Sequence, residues 1–236
     1  MTTLELAPTA PATAVTRDAL RDIWPMVLGV VPFGLLIGVT IGHLHLGALV
    51  GLGSAALYFG GSGHMAALTL LQDGAGPLAV PATVAVVNCR IALYAAALAP
   101  RFAGQPAWFR WFAPQVLVDQ TYAVATARPD LHGAAFRRYW LTAGGVFAAG
   151  WLGSNAAGLL LGPVLPAHSP LEIAVPAMFV GLLVPQLVRR PAIVAAGVGG
   201  LVAAAASPLP QGPGLLVGAL AGLLAATLAD RDGASS

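Results

Sequence analysis

The 236-residue chain has no lysine, one cysteine and few charges: charged residues make up 8% of it, against about one quarter in soluble domains. Each shortage excludes something. So little polar surface cannot cover a soluble domain, and 58% hydrophobic residues with a mean hydropathy of +0.82 make this an integral membrane protein. The lone Cys89 excludes an intramolecular disulfide. All eleven cationic residues are arginines, most of them spread through short loops, so the concentrated basic face that nucleic acid requires is missing. There is no P-loop to support an ATP-driven pump, and no His, Cys, Asp or Glu cluster with metal-ligand spacing. No cofactor is expected. The first residues also lack the basic start and cleavable apolar core of a signal peptide.

What is present is a series of apolar runs about 20 residues long, which read as helices because barrel strands would alternate polar and apolar residues. The expected fold class is all-α, a polytopic membrane helix bundle of seven to eight crossings with a broken second helix. Residues 1–16, rich in Ala, Pro and Thr, are expected to be a disordered tail, 17–229 the transmembrane domain and 230–236 a short tail. A short surface helix over 16–23 leads into spans near 25–42, 46–71, 78–100, 111–127, 140–161, 173–188, 192–206 and 214–228. Eight crossings with a cytoplasmic N-terminus would put Arg17, Arg21, Arg128, Arg137, Arg138, Arg189, Arg190 and Arg231 inside, with only Arg101 and Arg110 outside. The fourth span is the weakest. If it dips in without crossing, seven crossings remain.

The second span carries Tyr58-Phe59-Gly60-Gly61-Ser62-Gly63-His64-Met65. Three glycines in four positions weaken a helix and free backbone groups where there is no water to receive them. Such a break is tolerated when it is buried in protein or lines a cavity, and in transporters it is where substrates are held. Arg90 and Asp119 fall at the centres of the third and fourth spans, where each charge costs about 2.5–3.5 kcal/mol on the insertion scale. They are expected to face the bundle interior and each other. A plain Arg–Asp clamp and a pair that changes partner during transport both satisfy that expectation. His64 has an ordinary pKa of about 6.5 and suits a proton carrier, or else a satisfied core histidine. Asn88, Tyr94, Gln120, Thr121 and Gln186 are candidates to line a polar path.

Gly60-Gly61-Ser62-Gly63 matches the G-x-S-G string of rhomboid intramembrane proteases. A Ser–His dyad needs its base on a facing element, and His64 lies two positions along the same helix, so catalysis is not expected.

Four ordered blocks, FGGSGHMAAL at 59–68, VNCRIALYAAALAP at 87–100, VDQTYAVATAR at 118–128 and VPAMFVGLLVPQ at 175–186, resemble those of the AzlC family, the large subunits of branched-chain amino acid exporters. The resemblance implies export of Leu, Ile, Val and sometimes Met, driven by the proton gradient. It also implies a small AzlD-type membrane subunit as partner and the inner membrane of a bacterium as location. The chain departs from the family's usual pattern at Gly61, Gly63 and His64 in the break, at Ile91 and at Gln120. The substrate site is expected at Phe59, Gly60, Gly61, Ser62, Gly63, His64, Met65, Asn88 and Tyr94, with gating and proton coupling at Arg90, Asp119, Gln120 and His64. A membrane accessory subunit that moves nothing itself is the alternative.

Overall fold

The computed structural model describes residues 11–44, 47–162, 180, 183–184, 187–206 and 213–234. The expected sixth span and the 175–186 block lie largely outside the described residues, as do the first ten residues. The chain forms two compact units, Met1–Glu172 and Ile173–Ser236. All regular structure among the described residues is helical, in agreement with the expected class.

The first unit is built on two long apolar helices, α1 (Ala12–His43) and α8 (Gly133–Leu161). At 1.5 Å per residue, each exceeds the roughly 30 Å hydrocarbon thickness of a bilayer. They lie side by side and run in the same direction, because contacts climb both helices together: Val27 meets Gly150, Gly34 meets Ser154 and Val39 meets Gly162. Small residues permit this closeness. A Cβ on Gly38 would strike the backbone carbonyl oxygen of Asn155, and one on Gly158 would strike that of Leu35. Because α1 begins at Ala12, it takes in residues 12–16 from the expected tail and fuses the expected surface helix to the first span.

One end of this pair is fastened by charge. Arg128 reaches Asp18 at 2.7 Å and Asp22 at 2.9 Å, and the Tyr139 hydroxyl donates to Asp22 at 2.8 Å. The hydrogen bond to Asp18 comes first among the causes that raise the Arg128 pKa above its ordinary value, so the guanidinium stays charged at every accessible pH.

Between α1 and α8 the chain is broken repeatedly. α2 (Ala48–Leu57) and α3 (Gly61–Gln72) are separated at Tyr58–Gly60, so the break is confined to those residues and Gly61 to Met65 form the opening of α3. α4 (Ala79–Val87) and α5 (Cys89–Ala103) meet at Asn88 with a 42° bend, which nothing in the apolar pattern announced. α6 (Ala107–Phe112), a 3-10 turn (Ala113–Val116) and α7 (Asp119–Thr126) replace the expected fourth span. Among the described residues, two helices are long and apolar enough to cross a membrane, or three if the bent α4–α5 pair counts as one. Seven to eight continuous crossing helices are therefore not shown.

The expected separation of Arg101 from Arg128 on opposite sides is overturned. Arg101 at the end of α5 donates to the carbonyls of Ala125, Arg128 and Leu131 at 2.6, 3.0 and 2.9 Å. Gln105 binds the Gly133 carbonyl and accepts from Arg137. The end of α5 and the start of α8 thus lie together, at the same end as the Asp18–Asp22–Arg128 clasp.

The second unit contains α9 (Arg190–Ala205) and α10 (Pro213–Ala234). They pack antiparallel through small residues, Gly199 against Gly218 and Gly222 against Ala195, as packing helices of Ala, Gly, Leu and Val should. The α10 backbone continues to Ala234, through much of the expected C-terminal tail.

Candidate functional site

The break before α3 lies midway along the long helices. Phe59 is buried edge-on against Phe147, the central residue of α8, and Gly61 has no room for a Cβ because the Phe33 ring and Trp151 stand over it. Gly60 precedes the first turn of α3 without any side-chain cap. The opening N–H groups of a helix have no intrahelical acceptor, so they and the helix dipole make this terminus receptive to negative charge.

Gly63 presses on the side chain of Asn88, which also approaches Gly60. The bend between α4 and α5 therefore sits against the break between α2 and α3. Two positions beyond Asn88, Arg90 donates from Nη2 to the Ser62 hydroxyl at 2.6 Å and pairs with Asp119 at 3.1 Å. Asp119 opens α7, where the dipole favours a carboxylate, and its other oxygen accepts from the Tyr94 hydroxyl at 2.8 Å. Tyr94 is in turn stacked on Tyr122 with ring centroids 4.2 Å apart. Thr121 shapes the turn by accepting from the Val118 N–H at 3.0 Å and bonding the Val116 carbonyl at 2.6 Å. The network Ser62–Arg90–Asp119–Tyr94 thus joins three interrupted segments.

The network is not sealed. The side chains of Arg90 and Asp119 keep 31% and 21% exposure, and the Arg90 Nε is a buried donor without a partner. A guanidinium has five N–H donors in a fixed fork, so Arg90 retains capacity to receive a planar anion while holding Ser62.

Other expected residues fall outside this network. His64 is 2% exposed, and its Nε2 lies 3.0 Å from the Ser54 hydroxyl, with its ring stacked on Tyr58. Ser54 spends its one proton on the Gly51 carbonyl at 2.7 Å, so Nε2 is the donor to Ser54, leaving Nδ1 as a buried lone pair without a partner. Ser62 is bound by Arg90, and His64 is engaged elsewhere, so the two do not form a dyad. Met65 is half-buried, and Gln120 is buried at 5% exposure; neither joins the Arg90 network.

Ser54 and Gln115 were not expected to matter. Gln115 donates to the carbonyls of Ala56 and Leu57 at 3.3 and 3.1 Å, which ties the turn before α7 to the end of α2. The only available signal was a lone polar residue in an apolar run.

An apolar helical unit with charged and hydroxyl side chains gathered at helix interruptions is the architecture of a membrane protein with a polar interior, the class to which transport proteins belong. A family model described as AzlC protein matches residues 25–165, more than half of the chain, and the chain belongs to that family. Membership carries a role related to membrane transport. No curated protein and no solved structure matches the chain.

Proposed function

We propose that the protein is the large, membrane-embedded subunit of an exporter of branched-chain or similar apolar amino acids, Leu, Ile, Val and Met. The observation that carries this reading is the Arg90–Asp119 pair, held by Ser62 and Tyr94 where interrupted helices meet. The substrate α-carboxylate binds at the opening of α3, Gly61 to Gly63, and takes the place of Asp119 on Arg90, whose unpaired Nε supplies a second donor. The aliphatic side chain rests near Phe59, Met65 and Tyr94. Asp119 released from Arg90 takes up a proton, and the buried Nδ1 of His64, which has no partner, is a second acceptor. Proton-coupled secondary transport then follows from coupling the two exchanges.

In this reading the protein resides in the inner membrane of a bacterium with its N-terminus in the cytoplasm, and a small AzlD-type subunit completes the transporter. The test is efflux of labelled leucine or methionine from cells carrying the wild-type chain or Asp119→Asn. The amide keeps the shape and loses the charge, so efflux should fall at least tenfold with normal insertion. Unchanged efflux from correctly inserted Asp119→Asn protein removes Asp119 from the mechanism.

A further inference from the structure

We propose that residues 48–72 and 104–128 are two re-entrant hairpins that enter the membrane from opposite faces and meet tip to tip near its middle, so that neither segment crosses. The first segment turns back at its break. Were α2 and α3 collinear, Ser54 and His64 would be about 15 Å apart along the axis, ten residues at 1.5 Å each. Their side chains instead bond at 3.0 Å. α2 starts just after the His43 end of α1, where Gly51 packs on Ile41, and descends to Leu57. α3 packs along α4 with Gly63 beside Asn88, and α5 continues past the 42° bend to the clasp end. α4 therefore begins on the His43 side of Asn88, and α3 must return to that side to reach it.

The second segment folds the other way. Trp140 donates to the Ala113 carbonyl at 2.8 Å while Tyr139, one residue before it on α8, donates to the Val124 carbonyl at 3.3 Å. Two parts of the segment eleven residues apart thus lie at one level of α8, and both its ends are held at the clasp end by Arg101, Gln105 and Arg137. Its tip, at Gln115 and Asp119, is the part that touches Ala56, Leu57 and Arg90. The crossing elements of the first unit are then α1, the bent α4–α5 pair and α8.

The charge distribution points the same way. In this topology Arg17, Arg21, Arg101, Arg110, Arg128, Arg137 and Arg138 all fall at one end of the first unit. The residues between α1 and α2 and between α3 and α4, which join elements at the other end, include no arginine. Eight crossings would place Arg101 and Arg110 on the wrong side of the positive-inside rule, and the hairpins remove that conflict. The clasp end is therefore the cytoplasmic end.

The topology stands apart from the transport reading. If the protein is an exporter, the path for its solute passes between the hairpin tips. The test uses the full chain carrying Cys89→Ala, with single cysteines introduced by Ala48→Cys, Asp73→Cys, Gly104→Cys and Asp130→Cys at exposed positions. A membrane-impermeant maleimide is applied to right-side-out and inverted vesicles. Gly104→Cys and Asp130→Cys should both label from the cytoplasmic face alone, and Ala48→Cys and Asp73→Cys both from the opposite face alone. Members of either pair labelling from opposite faces would overturn the proposal. Where a substitution blocks insertion, His132→Cys and Gly76→Cys report on the same turns. Leucine efflux measured on the same cells separates the two ideas: split labelling with intact efflux removes the hairpins only, and paired labelling without efflux leaves the hairpins and removes the exporter.

Discussion

Arg90 and Arg101 stand on the same helix, three turns apart, and their partners differ in kind. Arg101 donates to three backbone carbonyls, of Ala125, Arg128 and Leu131, with its guanidinium carbon 4.0 Å from the centre of the Phe136 ring. Those acceptors are fixed by the fold, and the Ala125 and Arg128 carbonyls also accept from the backbone N–H groups of Arg128 and Leu131. Arg90 holds only side chains, the hydroxyl of Ser62 and the carboxylate of Asp119; the Nε of both arginines is buried without a partner. Side chains can exchange partners by rotating, whereas backbone carbonyls exchange only if the structure opens. An arginine that closes a fold and one that works inside it are told apart by their acceptors.

The largest effects should come from breaking this contrast directly. Arg101→Ala removes three charge-assisted hydrogen bonds at once and should cost on the order of 3–5 kcal/mol, read as a loss of folded protein in a thermal unfolding assay in detergent. Arg90→Gln should destabilise less than Arg101→Ala, because the Asp119 carboxylate it leaves behind is 21% exposed and keeps the Tyr94 hydroxyl, yet abolish leucine efflux. Two variants with the same unfolding temperature and the same efflux would erase the distinction.

Next in size is the seam between α1 and α8, which is closed by backbone. Gly158→Ala drives a methyl group onto the Leu35 carbonyl, which cannot swing aside, and should destabilise by about 1–3 kcal/mol. Gly145→Ala on the same helix has open space around it and should be neutral to slightly stabilising, because alanine is the better helix former. Equal unfolding temperatures for the two variants would show that the seam is looser than its geometry.

These contrasts were unequally legible in the sequence. Arg90 and Asp119 could be paired in advance because two charges in apolar runs have few ways to escape lipid, and the glycines at 60, 61 and 63 announced a break. The bend at Asn88 was not legible, because it comes from a tertiary contact with Gly63 and carries no glycine or proline of its own. Nor was the folding back of the broken segments. Hydropathy reports that a segment is apolar and is blind to whether it continues or returns, so counting runs put Arg101 on the wrong side of its own acceptors. Ser54 escaped notice for a related reason: its bond to His64 exists only because the chain reverses between them.

The smallest effect tests how far the working arginine depends on its surroundings. The Tyr94 hydroxyl donates to the Asp119 oxygen that Arg90 does not hold, while the Tyr94 ring is stacked on Tyr122. Tyr94→Phe removes that one hydrogen bond, preserves the stack and leaves the Arg90–Asp119 pair intact. Taken at about 1.5 kcal/mol, the low end for a hydrogen bond to a charged group, the loss converts to roughly a tenfold change if it acts fully on the rate-limiting step, and to less if it acts in part. Efflux in Tyr94→Phe should therefore drop by a few-fold, with an unfolding temperature close to that of wild type. A loss as deep as that of Asp119→Asn would mean that the carboxylate is unable to work without its tyrosine, and the contrast would then lie between two networks, not between two arginines.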